Sequence, residues 1–424
     1  MADEAAEYEL RCRAIRLREQ GVPFAQVLAM VGRGEFWLSK WLRRFREAGW
    51  AGLQTRSRAP MRRPRSTPAS VVSKVLALRA ELQAHRTRAS RFAGIGAEAI
   101  RLELARRRVR PLPGLRTIER IVKQHGLSGV EPSRRKGGGE PYPAPRARYP
   151  GDLQQTDLVG PRYLRGPKGI TRFYSLHTVA LVGRGAATSQ ARHKSAEALC
   201  AHFVHAWSGL GLPRVSQMDN EMAASGGGRH PYAFSLVMRL HLLLGVQLVF
   251  IPEGEPGRNA HIESFNDLWQ ERVLRHACAD LPALRRVDRA FLRYYHFAKP
   301  HRALRLETDA TRYPGQWLEL HRDQLRELPT GFDLRTYRDG QGRLKLPLAS
   351  GRVSFIRKVD DHGYIRVNAQ AYFVGKRQAR QYLTATVYTH RQILVIKRER
   401  STLKQFSFPI HETLVAPLIP TSQR

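Results

Sequence analysis

The chain has 424 residues and a formal net charge of +36, from 72 Lys and Arg against 36 Asp and Glu. Such a charge attracts polyanions, so nucleic acid is the first candidate partner; a membrane is excluded because no run approaches about 18 apolar residues. The first residues are acidic and carry no apolar export signal, and three scattered cysteines without a C-x-x-C pair exclude a disulfide framework. We expect roughly three domains, at about 150 residues each, in a cytoplasmic, nucleoid-associated protein.

The first 53 residues predict a helix-turn-helix DNA-binding domain. Apolar residues recur at helical spacing over 8–19, 24–31 and 35–48, with glycine turns between these segments. On the third segment an apolar stripe is predicted from Phe36, Leu38, Trp41, Leu42 and Phe45. The same helix offers Lys40, Arg43 and Arg44 to DNA. The alternative is a three-helix packing module with a solvated basic face.

Residues 54–68 predict a basic linker. The run QTRSRAPMRRPRSTP is rich in arginine and broken by prolines, which favours an extended or groove-tracking strand. Its DNA-contact candidates are Arg62, Arg63 and Arg65.

A second helix-turn-helix domain is predicted over residues 69–127. Its last helix, LRTIERIVKQHG, has apolar residues on one side and Arg116, Thr117, Arg120 and Lys123 on the other. These four are DNA-binding candidates, and the alternative is a surface helix with a solvated face. A Gly- and Pro-rich linker follows at 128–146.

From residue 147 onward, strand and helix patterns alternate and carry three acidic residues in distinctive places. Asp157 and Asp219 lie where strands are predicted to end, and Glu263 opens a predicted helix. A mixed α/β sheet gathers distant residues at such points. Carboxylate oxygens are ligands that Mg²⁺ prefers, and two such ions per active site serve phosphodiester chemistry. If the three acids converge, they predict a site for two Mg²⁺ or Mn²⁺ ions.

The order of three strands, helix, strand, helix, strand, helix carries four further motifs. They are T-D at Asp157, D-N at Asp219 after G-L-P-R, an N-x-x-x-E segment from Asn259 to Glu263, and AKPHRAL near residue 300. In these features, residues 147–305 resemble the retroviral-integrase-like catalytic core of DDE transposases from bacterial insertion sequences. Three departures are Glu221, where the family often has Gly, the glycines 226–228, which lengthen the following loop, and the 44 positions from Asp219 to Glu263, which exceed the family's usual spacing.

The resemblance implies an α/β RNase H-like core with a mixed sheet, acting as a DDE-type polynucleotidyl transferase. Asp157, Asp219 and Glu263 would be the catalytic residues and the metal ligands. The implied activity is metal-dependent cleavage and strand transfer at mobile-element ends. The implied partners are double-stranded DNA, as terminal repeats and target, and further copies of the chain, as a dimer or tetramer on DNA. A requirement for a helper ATPase stays open.

Three residues on the helix of Glu263 are weaker DNA-contact candidates. Asn266, Asp267 and Gln270 lie three, four and seven positions beyond Glu263 and share its helix face. The alternative is that they are ordinary exposed positions.

Beyond the core, residues 306–334 predict a connecting helix and 335–412 a small SH3-like β-barrel. Short alternating strands separated by turns support the barrel. Its basic residues, Arg357 and Arg398 among them, are expected to follow phosphates. The alternative is a stabilising domain with a basic surface.

The sequence therefore predicts a multidomain transposase or integrase. Two other functions remain open: an RNase H-like nuclease that cuts DNA without joining it, and a DNA-binding regulator or targeting factor with an inactive core.

Overall fold

The computed structural model describes residues 2–56, 66–87, 90–128, 142–167, 169–220, 232–304 and 313–420. Within it the chain forms two compact units, Met1–Val72 and Ser73–Arg424. The linker candidates Arg62, Arg63 and Arg65 lie outside the described residues, as does the loop 221–231 with Glu221 and the three glycines.

The first unit contains helices α1 (Ala2–Glu19), α2 (Phe24–Val31) and α3 (Glu35–Ala48). Ile15, Val27 and Leu38 are fully buried in its core. The stripe expected on α3 is wrong at Phe36, whose side chain is 95% exposed. Phe36 precedes Leu38 by two residues, about 200° around a helix, so it points away from the face that Leu38 and Trp41 bury.

The second unit begins with a helical region. Its helices are α4 (Ala69–Ala84), of which all but the first four residues belong to this unit, α5 (Ala97–Arg106) and α6 (Leu115–Gln124). The loop before α5 is fixed to the rest of the unit by arginine side chains: Arg272 donates to the carbonyl of Ala93 at 2.5 Å, and Arg275 donates to that of Arg91 at 2.6 Å.

A mixed sheet flanked by helices forms the centre of this unit. Its strands are β1 (Leu153–Gly166), β2 (Gly169–Ala180), β3 (Ala186–Ala191), β4 (Val215–Met218) and β5 (Gln247–Phe250). The helices are α7 (Ala196–Leu210), α8 (Leu236–Leu243), α9 (Ala260–Val273), α10 (Leu281–Phe297) and α11 (Pro314–Leu320). β1 to β3 are antiparallel, whereas β4 and β5 run parallel to β1. Long runs of buried residues in β1, β2 and β4 match a sheet covered on both faces.

The C-terminal strands extend this same sheet. They are β6 (Arg352–Lys358), β7 (Tyr364–Val367), β8 (Gln370–Phe373), β9 (Tyr382–Tyr388), β10 (Ile393–Arg398) and β11 (Ser401–Ser407). The strand order is β11-β10-β9-β6-β5-β4-β1-β2-β3, and β7 and β8 form a separate hairpin. β6 pairs parallel with β5, placing Val353 beside Leu248 and Phe355 beside Phe250.

The closed SH3-like barrel is therefore not confirmed, because the described strands form an open sheet from β11 to β3. The alternating pattern of the strands was interpreted correctly, but the pattern does not encode which edge each strand pairs with. β6 covers the edge of β5, which would otherwise expose unpaired backbone groups.

Core and C-terminal strands share one hydrophobic cluster. Phe250 and Phe355 stack with ring centroids 5.1 Å apart, and Leu242 and Leu394 lie in the same buried cluster. The C-terminal strands are thus part of the core that supports β4 and β5.

Among the described helices, none is both long enough and apolar enough to span a membrane.

Candidate active site

Asp157, Asp219 and Glu263 come from three different elements. Asp157 lies within β1, in its first half, so the prediction that it stands at a strand end is wrong, because the strand continues to Gly166. Asp219 directly follows β4, and Glu263 is in the first turn of α9. Gln155 of β1 pairs with Gln217 of β4, and each aspartate stands two residues further along its parallel strand. The two aspartates are therefore level with each other.

The electrostatics of Asp157 show that the three carboxyl groups lie within interaction range. The pKa of Asp157 is raised to about 6, chiefly by burial and also by the negative charges of Asp219 and Glu263. Hydrogen bonds from the Leu158 backbone and from Asn266 act in the opposite direction. Like charges gathered in a partly buried place disfavour ionisation, and a bound cation would relieve this.

Asn259 joins the three elements that carry the acids. It is 2% exposed and stands at the N-terminus of α9. Its amide donates to the carbonyl of Thr156, next to Asp157, and accepts from Gln217, two residues before Asp219, at 3.3 and 3.1 Å. Asn259 thus sets the start of α9 against β1 and β4, which explains why an asparagine stands four residues before Glu263.

Asn266 holds the carboxylate of Asp157. Its Nδ2 donates to Asp157 Oδ2 at 2.7 Å, and its Oδ1 accepts from His177 Nδ1 at 2.7 Å. His177 is the cross-strand neighbour of Asp157 on β2, and its Nε2 lies 2.7 Å from Ser175 Oγ. Complete burial lowers the pKa of His177 to about 4, so the ring is neutral and its Nδ1–H fixes the orientation of the amide.

The expectation that Asn266 contacts DNA is therefore wrong, because its side chain is buried and both ends of its amide are engaged. Sequence spacing identified the helix face but not what covers it. Gln270, further along α9, is half-buried and accepts a hydrogen bond from Arg162. Its DNA contact stays a prediction. His177 was missed because only the register of β1 against β2 brings it to Asp157.

The donor set fits a hard divalent cation. Three carboxylates supply only oxygen ligands and three negative charges, which matches Mg²⁺ or Mn²⁺ and not a thiolate- or imidazole-bound metal. Within the described residues, no group of three His, Cys, Asp or Glu side chains is close enough to enclose a metal. The carboxylates are thus near one another without yet forming a closed coordination shell.

Alanine at Asn266 is expected to weaken metal-dependent activity by about 10- to 100-fold, the usual effect of losing a residue that orients a metal ligand. The cause would be a free Asp157 carboxylate and an unpartnered buried Nδ1–H on His177. Metal titrations of DNA cleavage would measure it, with Glu271→Gln as the control, because this side chain lies on the same helix, is exposed and pairs with Arg272. Equal loss in both variants would contradict the role given to Asn266.

Most of the DNA-binding candidates on α3 and α6 have solvent-exposed side chains. Lys40 and Arg43 are exposed on α3, whereas Arg44 is half-buried with its guanidinium 4.9 Å from the Trp41 ring. On α6 the exposed candidates are Arg116, Arg120 and Lys123, while Thr117 is half-buried. Arg357 differs from its prediction: it is 5% exposed and cannot follow phosphates.

Two family models match segments of the chain. Residues 244–308, which contain β5, α9 and Glu263, match the integrase core domain. Residues 5–54, which contain most of α1 and all of α2 and α3, match a homeodomain-like domain of the helix-turn-helix type. For these segments the matches confirm the resemblance to integrase cores and the first helix-turn-helix domain.

Solved structures give only distant likenesses. A simian T-cell lymphotropic virus intasome in complex with PP2A regulatory subunit B56 gamma is 14% identical, covers 76% of this chain and 96% of that chain, and has a TM-score of 0.30. The HTLV-2 integrase catalytic core domain in complex with magnesium, trimeric form, is 14% identical. The match covers 40% of this chain and 98% of that chain, with a TM-score of 0.28. Its dimeric form is 15% identical. That match covers 37% of this chain and 94% of that chain, with a TM-score of 0.28. At these scores the likenesses carry no argument about this chain. No curated protein matches it.

Proposed function

We propose that the protein is a DNA transposase or integrase that cleaves and joins DNA strands with divalent metal ions. The observation that carries the proposal is that Asp219 and Glu263 lie within electrostatic range of Asp157, and Glu263 falls in residues 244–308, where an integrase core model matches. The basic charge of the chain and its homeodomain-like segment supply the means of binding DNA.

Asp157, Asp219 and Glu263 would hold two Mg²⁺ or Mn²⁺ ions. When bound, such ions supply polarisation of the attacking oxygen and stabilisation of the leaving oxygen in an in-line displacement. The side chains of the protein form no covalent bond with DNA. Asn266 holds the Asp157 carboxylate directly, and Asn259 holds the strands that carry Asp157 and precede Asp219 through Thr156 and Gln217.

The reaction proceeds in two displacements. A water oxygen attacks the phosphorus at the element end, and the bond to the 3′-oxygen breaks to leave a free 3′-hydroxyl. That hydroxyl then attacks a target phosphodiester, forming a new 3′-oxygen–phosphorus bond and releasing the 3′-hydroxyl of the target strand. The first step hydrolyses one phosphoester bond, and the second replaces one phosphoester bond by another. Neither step needs an external energy source.

The remaining regions would bind DNA and arrange the protomers. We assign residues 1–53 and 69–127 to recognition of terminal repeats, 54–68 and 128–146 to linkers, and 147–305 to the catalytic core. Residues 306–334 connect the core to 335–412, which complete its sheet. Joining two ends to one target brings two active sites together, so the proposed assembly on DNA is a dimer or tetramer.

A basic groove in the second unit offers a path for a DNA backbone. Its volume is about 1790 Å³, and its lining includes Arg146, Arg148, Arg214, Arg380, Arg398 and Arg400. The side chains of Arg146, Arg148, Arg398 and Arg400 are exposed. Strands β4, β5 and β6 run parallel, so their last residues lie at the same end of the sheet. Tyr382 pairs with Lys358, the last residue of β6, which places Arg380 and Tyr382 at that end. The groove thus reaches the end of the sheet that carries Asp219.

Replacing Arg398 and Arg400 together by alanine is expected to weaken binding of non-specific duplex DNA. The logarithm of the binding constant falls as the logarithm of the salt concentration rises. Each lost phosphate contact should make this slope shallower by about 0.9, so the pair should make it shallower by nearly 2. Fluorescence anisotropy over a salt series measures this. The matched control is Arg289→Ala with Arg293→Ala on α10, which removes the same charge from an exposed face outside the groove. Equal loss in both pairs would mean that net charge and not the groove binds DNA.

The decisive test is a strand-transfer assay with labelled DNA from the flanks of the coding region and a plasmid target, in Mg²⁺ and in Mn²⁺. Joined products support the proposal. Cleavage without joining would establish the nuclease, and tight binding without metal-dependent chemistry would establish the regulator.

A further inference from the structure

A buried arginine of the C-terminal strands reaches the segment that carries the second carboxylate. Arg357 lies on β6, and its Nη2 donates to Asn220 Oδ1 at 2.7 Å. Asn220 directly follows Asp219. Its own Nδ2 donates to the carbonyl of Ile251 at 2.5 Å, just beyond the end of β5. The Asn220 side chain is therefore held at both ends.

The other bonds of Arg357 connect it to several strand ends. Its Nε donates to the carbonyl of Arg366 on β7 at 2.8 Å, and its Nη1 donates to those of Ile356 and Ile251 at 2.9 and 3.3 Å. Glu253 Oε1 lies 3.4 Å from Nη2 of Arg357 and gives the guanidinium a carboxylate partner. Burial lowers the pKa of Arg357 to about 10, so the group stays cationic at neutral pH.

We propose that Arg357 is a positioning residue for the second carboxylate: it fixes Asn220, and through it the backbone of Asp219, in the place that metal binding requires. The inference rests on the proposed function for the role of Asp219. It gives the C-terminal strands a part in the active site that neither their sequence pattern nor the family matches assign.

The hydrogen-bond geometry of the guanidinium indicates that it positions Asn220 in addition to stabilising the fold. A buried charge is costly unless it is fully hydrogen-bonded, and an apolar side chain of similar size often serves stability as well or better. Arg357 donates to backbone carbonyls and to the side chain of Asn220, and it also pairs with the carboxylate of Glu253. A planar fork of five N–H donors can reach these separate acceptors together, whereas a lysine ammonium cannot.

The test compares Mn²⁺ affinity with fold stability. Purified full-length wild type, Arg357→Met, Arg357→Lys and Asn220→Ala would be titrated with Mn²⁺ and followed by electron paramagnetic resonance, with thermal unfolding recorded without metal. We expect each variant to bind Mn²⁺ about 10- to 100-fold more weakly, with lysine giving no rescue. Because Arg357 and Asn220 act through one contact, the double variant should be little worse than either single variant.

Arg239→Met is the matched control. Arg239 on α8 also joins the core to the C-terminal region, since it donates to the carbonyl of Leu346 at 3.2 Å and pairs with Glu412. Its loss should lower the unfolding temperature while leaving Mn²⁺ affinity unchanged.

Wild-type Mn²⁺ affinity in Arg357→Met and Asn220→Ala would overturn the inference, whatever their stability. If Arg357→Met fails to fold, Asn220→Ala decides alone, because it removes the contact and leaves the other bonds of the arginine intact. If wild type itself neither binds Mn²⁺ nor joins DNA, the proposed function fails instead.

Discussion

Replacing any one of Asp157, Asp219 or Glu263 by its amide is expected to reduce strand transfer by about a thousandfold or more. Bound metal ions stabilise transition-state charge by several kcal/mol, and each 1.4 kcal/mol is about a factor of ten in rate. The amides keep the shape of the side chains and remove one negative ligand. Single-turnover joining assays in Mg²⁺ measure the effect.

The three acids should also behave as one unit. Once one ligand is lost, a double amide variant should be scarcely slower than a single one, because residues that act together are strongly non-additive. Glu271→Gln is the control: this glutamate lies on the same helix but is exposed and pairs with Arg272 at 3.1 Å. Undiminished joining by the Asp219→Asn variant would exclude that residue as a ligand.

The Asp157→Asn substitution, which is expected to reduce activity, should leave the stability of the fold unchanged or increase it. The pKa of Asp157 is raised to about 6 by burial and by the neighbouring acids, so above that pH the ionised group disfavours the folded state. Without metal at neutral pH, Asp157→Asn should therefore unfold at the same temperature as wild type or higher. A marked fall would show that the carboxylate is needed for the fold itself.

Removing the C-terminal strands should prevent the catalytic core from folding. Truncation after residue 334 uncovers the edge of β5 and removes Val353, Phe355 and Leu394 from the shared cluster. A single buried Phe→Ala change costs about 3–5 kcal/mol, and a whole domain is stable by only about 5–15 kcal/mol. Circular dichroism during heating should show no cooperative transition in the truncated chain.

Two point variants separate this effect from a general role of the C-terminal region. Phe355→Ala should destabilise the full chain by about 3–5 kcal/mol, whereas Phe373→Ala, on the β7–β8 hairpin and 42% exposed, should change it little. A truncated core with a sharp unfolding transition would instead support an independent C-terminal domain.

Much of the candidate site could be predicted from sequence because its signals are local. The T-D and D-N pairs stand in or just after buried strands, and the N-x-x-x-E segment opens a helix, so their positions follow from chain order and hydrophobic pattern. The same holds for α1 to α3, whose helical spacing and glycine turns are confined to about fifty residues.

Other residues changed role once the fold was known. Asn266 was expected on a DNA-facing surface and instead bonds Asp157, because β2 brings His177 over that face of α9. Arg357 was expected to meet phosphates and instead reaches Asn220, because β6 pairs with β5.

The sequence by itself determined the basic character of the chain, its helical and strand segments, and the three acids with their order. Each of these depends on residue chemistry or on short-range periodicity. Only the tertiary structure decided which strands pair, whether the C-terminal strands stand apart, and which polar groups fix the carboxylates. Those features depend on contacts between residues far apart in the chain, such as Asn220 and Arg357, which are 137 positions apart, and no local pattern encodes the register of such contacts.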